Sequence, residues 1–319
     1  MCFASRWLVV LGLLLVGAGS ASAQKAEVVR RVAVTVDDLP VEPGGDCVPS
    51  CGERITAELL RVFRLHRVPA VGFVNEGKLR RGGRLDPAAV ALLRRWVEAG
   101  MELGNHTYSH ADFHATPLAD FQADVLRGEQ VTRRVMGAAG RRPRWFRHPF
   151  LHTGRDLGVR GRFEAFLGRH GYRVAPVTLD NYDYVFARAY AKAANRGDAR
   201  ARRRIAAEYL GYMERIFAYY EAQSTALFGR NVPHVLLLHA NLLNADTFDE
   251  LARRLERRGY SFVTLDQAVA DRAYRSADRY AGPAGITWLH RWALTQGRRG
   301  GFFAGEPEVP AWVRQAAER

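Results

Sequence analysis

The sequence predicts an α/β protein folded as a distorted, partly open (β/α)7-type barrel, and three observations carry that reading. Seven short apolar runs alternate with stretches of helical spacing, which is the pattern of strand–helix units in a parallel sheet. Seven units are one short of the closed eightfold barrel. Five of the runs end in ionisable residues, and barrels of this kind present their chemistry at the C-terminal ends of their strands. An open doubly wound sheet is the alternative. It lacks its phosphate-binding glycine turn here, because Asp37-Asp38-Leu39-Pro40 follows the first run.

The first residues form an address. Arg6 supplies a charged start, Leu8 to Val16 a short apolar core, and Ala21-Ser22-Ala23 a small-residue cleavage site. Residues 1–23 are expected to be a signal peptide, and the mature chain, starting near Gln24, to be secreted or periplasmic. The apolar run is too short to span a bilayer comfortably, so no stable membrane insertion is expected after cleavage. An uncleaved anchor is the competing reading. Cys47-Val-Pro-Ser-Cys51 holds the two remaining cysteines, which an oxidising compartment favours as a disulfide. A metal site is the weaker reading there, since no second thiol pair exists.

The expected strands are 31–37, 70–75, 101–104, 144–147, 172–178, 234–239 and 260–264. Glu53 to Arg67 places Ile55, Leu59, Leu60, Val62 and Phe63 at helical spacing. Pro87 to Ala99 opens on Asp86 as N-cap and closes at Gly100. Pro117 to Met136 opens the same way after Thr116. Asp198 to Phe228 is the longest helical pattern, and Thr247 to Arg258 ends at Gly259. After Ala270 the pattern dissolves into Arg, Gly and Tyr. Residues 276–319 are read as an appendage packed on the barrel through Trp288, Leu289 and Trp292.

The formal net charge is +14, nearly all of the excess being arginine. Such a charge favours anionic surfaces, but solvated helix faces account for it more simply. No aromatic-interleaved basic motif points to nucleic acid. A monomer is expected.

Chemistry concentrates behind the apolar runs. His106 and His110 are four apart, so one helical turn would place both on one face, and an Asp at the end of the first strand offers a carboxylate. Two imidazoles and a carboxylate leave open positions for water, as a hydrolytic metal site requires. A satisfied histidine pair is the commoner arrangement, and His114 is read as solvated or outside the ligand set. Asp37 and Asp38 follow a buried strand, where ionised groups are costly unless paired or metal-bound. Their side chains point in roughly opposite directions, so one can bind metal while the other faces the water as a base. A solvated turn is the bland alternative. His239 ends the most apolar strand and suits a catalytic acid, with Asp183 or Asp180 holding its ring. A packed strand-end histidine is the competing reading. Arg147 is placed to pair with Asp37.

These residues resemble a known family. Val36-Asp37-Asp38-Leu39-Pro40 resembles the Thr-Phe-Asp-Asp-Gly-Pro motif of the carbohydrate esterase family 4 polysaccharide deacetylases, the NodB-like fold. His106-Thr-Tyr-Ser-His110 is similar to their His-Ser/Thr-x-x-His, and Arg147-His-Pro149-Phe150 to their Arg-x-Pro-Tyr/Phe. Asp180-Asn-Tyr-Asp183-Tyr184 resembles their Asp-x-x-Asp-Trp, and Leu236-Leu-Leu-His239 their closing Leu-x-x-His. Five motifs in order cover roughly residues 30–270.

The resemblance implies a secreted, metal-dependent deacetylase acting on N-acetyl, or less readily O-acetyl, groups of a glycan, with residues 24–275 as its catalytic domain. Asp37 would be the base, oriented by Arg147. Asp38, His106 and His110 would bind a divalent metal, zinc first, with Co2+, Ni2+ or Mn2+ as alternatives. The Phe150 backbone N–H would stabilise the oxyanion. His239 would be the general acid, tuned by Asp183. No organic cofactor is implied. Two alternatives stand beside this: an amidohydrolase on a small non-sugar amide or imide, and a catalytically inactive glycan-binding member. Leu39 departs from the family's Gly and Tyr184 from its Trp. The stretch 187–231 is long for its connection and is expected to cover one end of the site.

Overall fold

The computed structural model describes residues 1–2, 30–42 and 51–318. Residues 3–23 of the expected signal peptide and Cys47 lie outside these residues. Cys51 is disulfide-bonded and Cys2 is free.

The described residues form nine strands: β1 (Arg30–Leu39), β2 (Val71–Val74), β3 (Arg80–Arg81), β4 (Arg84–Leu85), β5 (Glu102–Asn105), β6 (Trp145–Phe146), β7 (Arg173–Val174), β8 (His234–His239) and β9 (Tyr260–Phe262). β3 and β4 make a small antiparallel ribbon. The other seven form one parallel sheet in the order β7-β6-β5-β2-β1-β8, with β9 on the start of β1. The sheet curls into a half-barrel. One segment spans its two edges: Arg173 and Val174 pair with β6, and Leu179 then pairs with Leu236 of β8. Pro176 interrupts this run, so the expected strand 172–178 shrinks to two residues.

β1 lies between β2 and β8 and is covered on both faces, as its unbroken Val-Ala-Val-Thr-Val run demands. Val32, Val34 and Val36 face the helices and join the largest apolar cluster. Ala33 points inward with Val71, Phe73, Trp145, Ala175 and Val235. Strand alternation then aims Thr35 and Asp37 along the same inner face, so a narrow apolar floor rises to a polar rim.

Among the described residues eleven α-helices surround the sheet: α1 (Cys51–Leu65), α2 (Pro87–Glu98), α3 (Leu118–Arg127), α4 (Gln130–Gly137), α5 (Leu157–Arg169), α6 (Asp183–Asn195), α7 (Ala199–Phe228), α8 (Leu242–Arg257), α9 (Leu265–Val269), α10 (Trp288–Thr295) and α11 (Ala311–Glu318). None is long and apolar enough to cross a membrane. The pattern read as one helix over 117–136 is two, broken at Gly128. A side chain there would lie 2.5 Å from the Thr107 carbonyl carbon and the Tyr108 nitrogen, so the backbone crosses too closely for an uninterrupted helix. α8 starts at Leu242, earlier than its periodicity indicates, because Asn241 caps it by accepting from Asn244 N. Residues 276–319 are not patternless: Leu289, Trp292, Val309, Val313 and Ala317 are buried in the main apolar cluster.

Candidate active site

Parallel pairing brings the ends of β1 and β8 level, with Asp37 opposite His239. Between them opens a cavity of about 550 Å³, lined by Asp37, Asp38, His106, His110, Phe150, Asp180, Tyr182, Tyr184 and His239 among others. Five of the seven non-glycine residues with positive φ among the described residues line it: Asp38, His110, Phe150, Leu151 and Tyr182. Strained backbone concentrates where side chains must be aimed against local preference.

Asp38 leaves the strand at φ 69°, which turns its carboxylate away from Asp37. Its Oδ1 lies 3.5 Å from His106 Nε2 and 3.5 Å from His110 Nε2. Two ligands at ~2.1 Å from a tetrahedral ion stand roughly 3.4 Å apart, so these three atoms fit one divalent cation. That Oδ1 is buried and has no hydrogen-bond partner, as expected of an atom reserved for such a ligand. Burial, with His110 next, keeps the His106 ring neutral at neutral pH, and burial does the same for His110. Neutral imidazole is the form that ligates. The Arg147 carbonyl accepts from His106 Nδ1 at 2.8 Å, fixing the tautomer that presents Nε2.

The two histidines stand on a loop, not on the helical turn their spacing indicates. Thr107 at φ 67° and His110 at φ 58° exclude a helix. The loop is pinned instead by Asn105 Oδ1, which accepts from Thr107 N, and by Asp124 Oδ2, which accepts from Tyr108 N and Ser109 N. His114 lies outside the triad, stacked on His152 at 3.9 Å, and His152 pairs with Asp112.

Asp37 is buried against Arg147, whose Nη1 donates to Oδ2 at 3.3 Å. Arg147 is itself fully buried and held by Thr35 Oγ1 at 2.9 Å and the Ala175 carbonyl at 3.0 Å. Burial raises the Asp37 carboxyl to about 6 despite that guanidinium. For Asp38 burial acts in the same sense, but Lys78 and the neighbouring histidines outweigh it and keep it well below the usual carboxylate range.

His239 donates from Nδ1 to Asp183 Oδ1 at 2.7 Å, which leaves Nε2 for the cavity. Asp183 also accepts from the His239 backbone at 2.9 Å and from Asn244 at 2.6 Å. Burial opposes charge on the ring, but the Asp183 carboxylate prevails and raises it to about 10. Asp180 lines the cavity and makes no pair with His239; burial raises its carboxyl.

Sequence reasoning missed several participants. Lys78 pairs with Asp38 Oδ2 at 3.1 Å, and its place in a single 3-10 turn, Glu76–Leu79, gives no periodic signal. Asn241 and Asn244, which precede the helix read from Thr247, both donate to Asp183. None of the residues 187–231 lines the cavity, since α6 and α7 pack behind it. The wall comes from the C-terminal segment through Ala284 and Gly285. Arg160 and Arg291 tie that segment down at Asp278 and Tyr280. Gly285 crosses Phe150 so closely that a Cβ would lie 1.7 Å from its carbonyl oxygen.

Residues 24–164 match the polysaccharide deacetylase family. A chitin deacetylase of Colletotrichum lindemuthianum is 31% identical over 156 residues, 48% of this chain and 52% of the relative. A chitooligosaccharide deacetylase of Bradyrhizobium sp. (strain ANU 289) is 32% identical over 121 residues, 38% and 46%. The chain thus spans about half the length of these curated relatives. The solved structure of the Colletotrichum enzyme shares the fold at a TM-score of 0.52 and 24% identity, covering 76% of this chain and 90% of that one.

Proposed function

We propose that this chain, whose residues 24–164 match the polysaccharide deacetylase family, hydrolyses N-acetyl groups, and more weakly O-acetyl groups, on a glycan outside the cytoplasm. Asp38, His106 and His110 hold a divalent cation, zinc by the two-imidazole, one-carboxylate donor set. When bound, that cation supplies Lewis-acid polarisation of the acetyl carbonyl and lowers the pKa of water.

The protein's own groups do the rest. Asp37 accepts the proton of the attacking water, and Arg147 holds its carboxylate in place. The Phe150 backbone N–H donates to the oxyanion as the carbonyl becomes tetrahedral. His239 gives its Nε2 proton to the departing amine, and Asp183 holds the ring charged until then. The observation that carries this reading is the strand register that sets Asp37 beside His239, one carboxyl raised to about 6 and one imidazole raised to about 10. A base and an acid with environments pushed in these directions are both in the working form at neutral pH.

Acetate release by zinc-loaded protein from chitin oligosaccharides, peptidoglycan, acetylated xylan and an exopolysaccharide tests the reading. At least one should yield acetate. Asp37→Asn should keep its metal and lose about 10²–10⁴-fold in rate, whereas Asp38→Asn or His110→Ala should lose the metal itself. No acetate from any of the four at full metal occupancy, or full turnover by Asp37→Asn, would overturn it.

A further inference from the structure

Among the described residues, two groups of three side chains bring metal-donor atoms within 4.8 Å of one another. The first is Asp38, His106 and His110. The second is Asp112, His114 and His152. The groups share no residue, and none of the second group stands in the five motifs quoted for the deacetylase resemblance.

The second group gathers three parts of the chain on one wall of the reaction cavity. Asp112 and His114 lie on the loop that runs on from His110, while His152 follows the Phe150 turn and lines the cavity. The C-terminal segment closes over them. His114 Nδ1 donates to the Pro283 carbonyl at 3.2 Å, and a Cβ on Gly285 would lie 3.1 Å from His152 Cδ2. The Phe150 ring touches both groups, with its centroid 4.5 Å from that of His110 and 5.6 Å from that of His152.

The donors are arranged as cation ligands are. His152 Nδ1 donates to Asp112 Oδ1 at 2.6 Å, and a divalent ion can take the place of the proton between them, since imidazole and carboxylate ligate in their deprotonated forms. Ligation opens that separation to roughly 3.4 Å, the spacing of two ligands on a tetrahedral ion. The side chains have room to do so, being 20% and 35% exposed. The Asp112 carboxylate is already aimed, because Oδ1 also accepts from His114 N at 2.7 Å. The Pro283 carbonyl orients His114 as the Arg147 carbonyl orients His106, and it leaves a lone pair on His114 Nε2. The His114 and His152 rings lie 3.9 Å apart, so one ion can reach both.

We propose that Asp112, His114 and His152 form a second, independent site for a divalent cation, zinc by its two imidazoles and one carboxylate. The ion ties the loop after His110 to the Phe150 turn and, through His114, to the C-terminal segment. It firms the cavity wall and takes no part in the reaction. The site does not depend on what the cavity hydrolyses.

Equilibrium dialysis of the untagged, metal-stripped full chain against graded zinc, followed by metal analysis, tests it. The wild type should bind two equivalents. Asp38→Asn and Asp112→Asn, both isosteric, should each bind one, and His114→Ala should match Asp112→Asn. The wild-type melting temperature should rise again as the second equivalent fills, because an ion that binds only the folded chain stabilises it. That second rise should vanish in Asp112→Asn. Saturation of the wild type at one equivalent, or two equivalents retained by Asp112→Asn, would overturn the site and leave the deacetylase reading intact. An Asp38→Asn variant that folds but binds no zinc would also overturn it, since the second site would then not be independent.

Discussion

Asp37 and Asp38 are neighbours in the chain that their surroundings pull apart. Asp37 is buried beside one guanidinium, while Asp38 has Lys78 and two imidazoles. The rate should follow the ionisations of Asp37 and His239. As pH falls through about 6 the Asp37 base is protonated and the rate drops; as pH rises through about 10 His239 loses the proton it must donate. The cation beside Asp37 favours its anion, so the acid limb should lie below 6 when metal is bound. Asp183→Asn removes the anion that raises His239, and the alkaline limb of kcat/KM should move to lower pH. A limb unmoved in that variant would assign it to another group. At this scale much was legible, because ionisable residues behind apolar runs stand out. The partners that hold them, Thr35, Lys78 and Asn244, were not, since common polar residues acquire meaning only through tertiary neighbours.

The elements follow the sequence where burial is strong and depart from it where backbones meet. The central strand and α1 carry unbroken apolar signals and form as read. α5 escaped notice because Gly158, Gly161 and Gly168 dilute its pattern, although Phe163, Phe166 and Leu167 bury one face. The break between α3 and α4 depends on a contact some twenty residues away, which no local pattern reports. It yields a test. Gly128→Ala would drive a methyl into the loop that carries His106 and His110, and should cost about 1–3 kcal/mol of stability while weakening metal binding. Gly137→Ala, at the end of α4, meets nothing within 4 Å and serves as the control. Equal melting temperatures and equal metal affinity for the two variants would show that the close crossing has no role.

The whole molecule is one half-barrel with its C-terminal segment built into the core. Composition hid this, because Arg and Gly flank the short apolar clusters at Leu289–Trp292 and Val309–Ala317. Ending the chain after Arg275 would remove five side chains buried in the main apolar cluster and bare the apolar surface they cover. Each of the larger ones stabilises by ~1.5–3 kcal/mol, against a total near 5–15 kcal/mol for a typical domain. The shortened chain should be insoluble or lose its cooperative thermal transition. A soluble product melting at the full-length temperature would mean the segment is a passenger.

The Lys78–Asp38 ion pair bears on the order of events in this protein's biogenesis. Its ammonium, 3.1 Å from Asp38 Oδ2, supplies positive charge beside a buried carboxylate whose nearest other neighbours are two neutral rings. Maturation can then proceed in two separate stages: the chain folds unaided and recruits its cation afterwards, unlike small zinc domains whose folding is the binding event. Chelated protein should keep a sharp, cooperative melt, and Lys78→Met should destabilise the metal-free form more than the loaded one. An apo protein already unfolded at room temperature would reverse that order and make the metal a condition of folding.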